Sequence, residues 1–390
     1  MIPIRYNVRS LAVRRATTLA TSLGIGLVVF VFAGALMLSN GVKKTLQTSG
    51  NPDIAMVMRA GSDNEMGSNM DEPNVHNVLA APGVKKDEKG SPVGTGETVV
   101  VAAMPKLGAA DNGISNVLLR GVRDNVMAFR PTVKIIDGRP ARPGSEEVII
   151  GTRLRGRFKG LQLNESFDLR KNRPAKVVGV FEDGGSAFES EVWVDADVLR
   201  QAYGREGSIN VVRVRLESPA VFDSFKAQVE SDKNLGFMAV RETEYYEKQS
   251  EGTSLFIGAM GTLIAVFFAM GAMIGAMITM YSAVANRQKE IGTLRALGFS
   301  RRSILTSFLL ESTVLALLGG IVGAAASLGM GFVHFSMLNQ ASWSEVVFSF
   351  TPTPQILMTA LTFAGGMGLF GGLFPAIRAT RVSAIQAIRG

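Results

Sequence analysis

Arg287-Gln-Lys-Glu-Ile-Gly-Thr-Leu-Arg-Ala-Leu-Gly-Phe-Ser300 is a charged stretch between two long apolar runs, and it is too short to be a domain. Ile291, Leu294 and Leu297 recur every three residues, which gives a short helix one apolar stripe. Arg287, Lys289, Glu290 and Arg295 fall largely off that stripe. Gly298 follows the last periodic residue as a stop signal, and Ser300 is placed to cap the next helix. Two readings are open: a plain basic loop of a membrane protein, or a handle that a cytoplasmic partner can push.

The flanking runs decide the fold class. Residues 19–38, 255–285, 312–340 and 349–377 carry no charged side chain. Uncharged runs of roughly 18 residues or more are transmembrane candidates. They leave one large polar block, long enough for one or two soluble domains. Residues 41–253 hold 29 Lys and Arg against 30 Asp and Glu, so the net charge of +8 does not come from there. Residues 1–16 carry four Arg and no acid, residues 287–303 five basic groups and one acid, and residues 378–390 three Arg and no acid. Excess basicity is therefore juxtamembrane, which excludes a nucleic-acid partner and places both termini and the 287–303 loop on the cytoplasmic side.

The expected fold is a membrane protein with four transmembrane helices and a large α+β extracytoplasmic domain inserted between helices 1 and 2. The expected boundaries are an amphipathic cytoplasmic helix over 1–16, transmembrane helix 1 over 17–40 and the extracytoplasmic domain over 41–253. A stalk and helix 2 follow over 254–286, a coupling helix and loop over 287–303, helix 3 over 304–340, an outer loop over 341–353, helix 4 over 354–377 and a cytoplasmic tail over 378–390. Run 255–285 would reach about 46 Å as a helix against a hydrocarbon core of about 30 Å, which implies tilt or a protruding stalk. An apolar run longer than a signal-peptide core favours an uncleaved first span.

Within the polar block, short runs rich in β-branched residues predict strands at 98–101, 117–119, 133–136, 147–150, 175–181, 191–194 and 209–216. The last run alternates, which puts Arg213 and Arg215 on a wet face. Residues 59–73 read as an exposed loop of small polar residues. Asp195 and Ser218-Pro219 read as helix starts, with Gly204 as a stop. Thr353-Pro354 starts the last span, and Trp343, Phe348 and Phe350 suit a membrane interface. The tail carries a capping box at Ser383 and Gln386.

The segment Glu290-Ile-Gly-Thr-Leu-Arg-Ala-Leu-Gly298 resembles the coupling-helix signature of the FtsX/MacB-type (type VII) ABC transporter permeases. Glu147-Val-Ile-Ile-Gly151 and the run from Pro375 to Arg389 are similar to that family as well, so the likeness spans nearly the whole chain. It implies a permease subunit without a fused ATPase domain, in the bacterial cytoplasmic (inner) membrane, whose outer block comprises two subdomains, one inserted in the other. It implies ATPase-coupling roles for Arg287, Glu290, Ile291, Gly292, Leu294, Arg295, Leu297 and Gly298. The implied partners are two copies of an ABC ATP-binding subunit, a second permease copy (identical or paralogous), and a periplasmic adaptor or lipoprotein. ATP and Mg would belong to the partner ATPase, and this chain would bind no cofactor. The implied action is mechanotransmission: ATP hydrolysis moves the outer domain and drives export or extraction of a substrate. The FtsX branch implies an alternative, a scaffold whose outer domain activates a cell-wall hydrolase.

No catalytic constellation is visible. No G-x-x-x-x-G-K-[ST] segment occurs, and His76 and His334 have no second ligand at metal-binding spacing. With no cysteine, thiol chemistry is excluded. Arg153, Arg155, Arg157 and Lys159 form a basic run that reads as a solvated face balanced by Glu146, Glu147 and Glu165. Gly271/Gly275, Gly319/Gly323 and Gly368/Gly372 have the four-residue spacing that permits close helix packing in lipid. Glu311 is the ionisable residue well inside a span, and its cost there calls for an arginine or a helix end as partner.

Overall fold

The computed structural model describes residues 15–108, 113–231 and 236–382. Nearly all of the expected 1–16 helix, and the capping box at Ser383 and Gln386, lie outside the described residues. The described helices are α1 Arg15–Ser49, α2 Glu72–Leu79, α3 Val126–Phe129, α4 Ala196–Tyr203, α5 Phe222–Ser231, α6 Glu242–Asn286, α7 Gln288–Ala296, α8 Arg301–Leu328 and α9 Pro354–Thr380. The strands begin with β1 Ile54–Arg59, β2 Met70–Asp71, β3 Gly94–Pro105, β4 Ile114–Val122, β5 Lys134–Gly138, β6 Glu147–Gly151 and β7 Ser166–Arg170. They continue with β8 Arg173–Glu182, β9 Glu191–Asp195, β10 Ser208–Ile209, β11 Val211–Arg215, β12 Phe237–Arg241, β13 His334–Asn339 and β14 Ser344–Ser349.

The chain divides into two compact units. One comprises Met1–Gly41, Thr253–His334 and Ser349–Gly390; the other comprises Val42–Gly252 and Phe335–Phe348. The first holds the apolar stretches of α1, α6, α8 and α9, four helices long and apolar enough to cross a membrane. Small residues let these helices approach closely. A side chain at Gly319 would strike the Ser22 carbonyl and one at Gly323 the Gly26 carbonyl, which brings α8 against α1. Gly368 and Gly372 lie against Ala316 and Ser312, which brings α9 against α8. Gly261 meets Ala35, and the Thr21 hydroxyl donates to that of Thr279 at 3.1 Å, joining α6 to α1. A Cβ added at Gly271 or Gly275 would meet nothing within 4 Å, so that pair makes no close helix contact among the described residues.

The second unit is built on a ten-stranded sheet of order β12-β1-β11-β3-β4-β9-β6-β8-β5, with β7 on β8. The β4–β9 and β6–β8 pairs are parallel and the others antiparallel. Long strand β3 pairs β11 through residues 94–97 and β4 through residues 98–105. Two apolar cores result. One packs Val117, Leu119, Val148, Ile150, Val177 and Leu199. The other packs Ala55, Val57, Val212, Val214, Phe222 and Phe225. The residues of the first core lie between the chain segments that form the second, so one half of the domain is an insertion in the other. Local signals act as the sequence indicates: the Asp195 carboxylate caps α4, Gly204 ends it at φ 63°, and Thr353 caps α9.

The structure departs from several expectations. The first concerns helix 3, which stops at Leu328 instead of running to 340; a 3-10 turn and the β13–β14 hairpin follow where a plain outer loop was expected. Strand β13 lacks charge, so composition could not separate it from the span before it. Phe348, expected at a membrane interface, is 1% exposed, whereas Trp343 is 59% exposed.

The second correction concerns Arg213, which is fully buried, not on a wet face. Strand β11 lies inside the sheet, and the arginine bonds to Glu65, Glu97 and Glu242. The third concerns the 59–73 segment. It is not all exposed loop: Asn64 caps a 3-10 turn that carries Glu65 into the core, and Ser68 is buried too.

Candidate coupling site

Helix α7 starts at an N-cap without a side-chain capping bond and ends at a strong stop. Arg287 occupies the N-cap position. At the other end Gly298 adopts φ +92°, the Phe299 amide donates to the Leu294 carbonyl, and the Gly298 amide donates to that of Arg295. This 6→1 and 5→2 pairing is the left-handed glycine stop of a helix. Ser300 then caps α8 by accepting from the Ser303 amide at 3.2 Å.

Ile291 seats α7 on a floor made by Met280, Val284, Ile304, Phe308, Ala376 and Ala379. Gly292 is buried beside it and Leu294 is half-buried. Leu297 departs from the expected stripe: it lies past the helix end and is 71% exposed. Gln288, Lys289, Glu290 and Thr293 are exposed, and Arg295 is half-buried with an Nη1 donor 3.5 Å from the Phe299 carbonyl. The site therefore has a buried apolar seat and a polar outward face that ends in one exposed leucine.

Sequence reasoning assigned Arg287 to that face, but it is buried. Its Nη1 donates to Glu311 Oε2 at 3.0 Å, its Nε reaches Glu290 at 3.2 Å, and its guanidinium lies 5.6 Å from the centre of the Phe308 ring. Arg287, at the α6–α7 junction, is the arginine partner that the cost of Glu311 demanded. The pair fixes the start of α7 to α8 where both charges are withdrawn from water.

A second charged constellation lies in the inserted domain, and sequence reasoning missed it. Arg120, Arg130 and Arg213 are buried among Glu65, Glu97, Glu191 and Glu242. Burial alone would raise the Glu65 pKa, but Arg120 and Arg213 hold it down at about 2. Glu191 titrates above its ordinary range because burial outweighs Arg120. Glu242, in the first turn of α6, accepts from Arg130 at 2.5 Å, Arg213 at 2.9 Å and the Asn51 amide at 3.1 Å. Of these residues only Glu191 and Arg213 lie in the strand-like runs, and alternation gives such residues to solvent by default.

The 153–159 basic run is used within the same domain. Arg153 pairs with Glu189, Arg155 with Asp137 and Arg157 with Glu345, while Glu146 and Glu147 pair with Arg173 and Arg139 instead. Glu345, on β14, also binds Lys106 at 2.6 Å and Ser115 at 2.5 Å. His76 is exposed on α2, and His334 Nδ1 lies 3.1 Å from the Ser349 hydroxyl. Among the described residues no cluster of His, Asp and Glu could hold a metal ion.

Four apolar helices, a large domain inserted after the first, and a short seated helix between the second and third define a multi-pass membrane permease architecture. The sequence matches the MacB-like periplasmic core domain over residues 16–232 and the FtsX-like permease C-terminal domain over residues 262–384. The chain belongs to this family, the MacB/FtsX-type permeases of ABC transporters. Among its relatives, the ABC transporter permease YknZ of Bacillus subtilis is 26% identical over 96% of this chain and 94% of its own. The macrolide export ATP-binding/permease protein MacB of Escherichia coli is 28% identical over 56% of this chain, a match that spans 34% of that larger protein. The extracellular domain of YknZ aligns with 48% of this chain and 99% of its own at 18% identity and a TM-score of 0.35. The periplasmic region of MacB from Actinobacillus actinomycetemcomitans aligns with 53% of this chain and 96% of its own at 11% identity and a TM-score of 0.38.

Proposed function

We propose that this permease is the mechanical half of a machine powered by a separate ATP-binding subunit. Two such subunits, with their ATP and Mg, would sit on the cytoplasmic side against α7 in a pair of permease copies. The chain itself performs no catalysis. The basic segments at 287–303 and at both ends support this orientation in a bacterial cytoplasmic membrane, and it makes the inserted domain extracytoplasmic.

The observation that carries the reading is the Arg287–Glu311 pair beneath an exposed α7 face. A helix pinned at its start and seated on Ile291 passes a push on its polar face to the spans, where a free loop would absorb it. The spans of α1 and α6 offer a hydrophilic substrate little solvation: the Thr21 hydroxyl donates to that of Thr279, which donates to the Ala276 carbonyl. Export or extraction is therefore driven by movement of the outer domain on the far side, with an adaptor or lipoprotein as a further partner.

Purification of the membrane-embedded chain with its associated proteins tests this. An ATP-binding subunit should co-purify, and Glu290→Lys or Gly298→Val should cut the ATPase activity of the complex without loss of the assembled permease. Gly298→Val acts by forbidding the positive φ. Normal coupling in both variants would reduce 287–300 to a connecting loop. Recovery of a cell-wall hydrolase in place of an ATPase would favour the scaffold reading.

A further inference from the structure

The domain of Val42–Gly252 and Phe335–Phe348 receives the chain through three elements that continue into the spans: the end of α1, the start of α6 and the β13–β14 hairpin. All three are fastened to one four-residue 3-10 turn, Ala187–Ser190, which is buried throughout. Ser49, the last residue of α1, accepts at its hydroxyl from the Ala187 amide at 2.8 Å. Tyr246 of α6 packs edge-on against the Phe188 ring, with centroids 5.9 Å apart. The Val347 amide of β14 donates to the Ser190 hydroxyl at 3.1 Å. The Val347 carbonyl accepts from Arg153 at 2.5 Å, and Arg153 itself donates to Glu189 at 3.0 Å.

The turn is braced from within and from the sheet. Glu189 Oε1 accepts from the Asp183 and Gly185 amides at 2.8 and 2.7 Å, which closes the loop that leads into the turn. A side chain at Gly151, the last residue of β6, would overlap the Glu189 backbone, so strand and turn are in direct contact. The guanidinium groups of Arg130, Arg120 and Arg213 lie 4.2, 5.2 and 5.9 Å from the Phe188 ring centre. The Phe188 ring thus meets the buried ion network that also holds Glu242 at the root of α6.

We propose that the Ala187–Ser190 turn is the common anchor that makes α1, α6 and the hairpin displace the sheet as one body, with Phe188 and Ser190 as positioning residues. This deepens the mechanical reading above and rests on it. A buried turn joined to each incoming element by a main-chain or ring contact has no slack: a shift of one element relative to the others breaks a buried bond. An anchor of this kind differs from a hinge, because it works by staying closed throughout the cycle.

The absence of native cysteine makes the test clean. In the full permease–ATPase complex, the pair Ser190→Cys and Val347→Cys should form a disulfide with equal yield without nucleotide and in the ATP–vanadate state. Spin labels at Asp63→Cys and Ser300→Cys, placed in a separate background, report displacement of the domain. Phe188→Leu, with Ser190→Ala as the milder variant, should lose or broaden the ATP-dependent change in that distance while the complex still binds ATP. The oxidised pair should keep the ATPase activity of its reduced form. An anchor that must open would instead lose activity on oxidation, or form the disulfide in one nucleotide state alone; either result overturns the proposal, as does no disulfide at all. A wild-type Asp63–Ser300 distance that ignores ATP contradicts the mechanical reading itself, and disulfide formation would still report whether the anchor is there.

Discussion

Arg287 donates to Glu311 at 3.0 Å across the junction of α6, α7 and α8, with both side chains less than a tenth exposed. Breaking a buried ion pair by removing one partner costs up to about 3–5 kcal/mol, and the Glu290 contact to Arg287 moderates that cost when Glu311 is the one removed. Glu311→Gln or Arg287→Met should therefore lower the unfolding temperature of the detergent-solubilised permease markedly. The double variant Arg287→Met/Glu311→Gln should recover part of that loss. Equal stability of wild type and single variants would show that the pair holds nothing in place.

The two faces of α7 should separate folding from coupling. Ile291→Ala empties a packed seat and should destabilise by about 2–5 kcal/mol. Leu297→Ser alters an exposed side chain and should change stability by less than about 0.5 kcal/mol, yet weaken retention of the ATPase. Chemical unfolding read beside co-purification yield distinguishes these outcomes.

The glycine pairs should divide likewise. Gly319→Leu and Gly323→Leu place side chains into the backbone of α1 and should abolish stable assembly of the bundle. A Cβ added at Gly271 meets no described residue within 4 Å, so the Gly271→Leu monomer should stay folded. If α6 meets the second copy there, the same variant should shift the oligomer to monomer in light scattering.

Acid should loosen the hairpin. Burial by itself would raise the Glu345 pKa, but bonds from Lys106, Ser115 and Ser336 and the charge of Arg157 pull it down to about 2. A carboxylate depressed in the fold contributes stability above its unfolded pKa, about 4.5, and loses it as the pH falls toward 2. Glu65 titrates in the same window. The protection factor of the Val347 amide, its intrinsic over its observed exchange rate, should fall below about pH 4.5, and Glu345→Gln should remove most of that dependence. Because burial already disfavours its charge, Glu191→Gln should cost less than Glu65→Gln.

The four spans and α7 were legible because lipid forbids charge in the first and a three-residue repeat with a glycine stop marks the second. Glu311 announced its need for a partner, though not that Arg287 would leave the polar face to meet it. The hairpin was hidden because β13 lacks charge and continues an apolar run. The ion network was hidden for the opposite reason. Glu65 in a polar loop and Arg213 in an alternating strand look like surface residues until the sheet covers both its faces. Whether a charge is buried depends on which segments meet, and periodicity along one segment carries no record of that.

On the proposed function, α7 is the contact for a separate ATPase. A photo-crosslinking residue in place of Leu297, in intact cells, tests it most directly, with the same residue in place of Asp63 as control. Leu297 should capture a protein with an ATP-binding motif at one copy per permease, and Asp63 should capture none. Capture of the ATPase from Asp63, or none from Leu297 when the complex is intact, would show that α7 is not the contact.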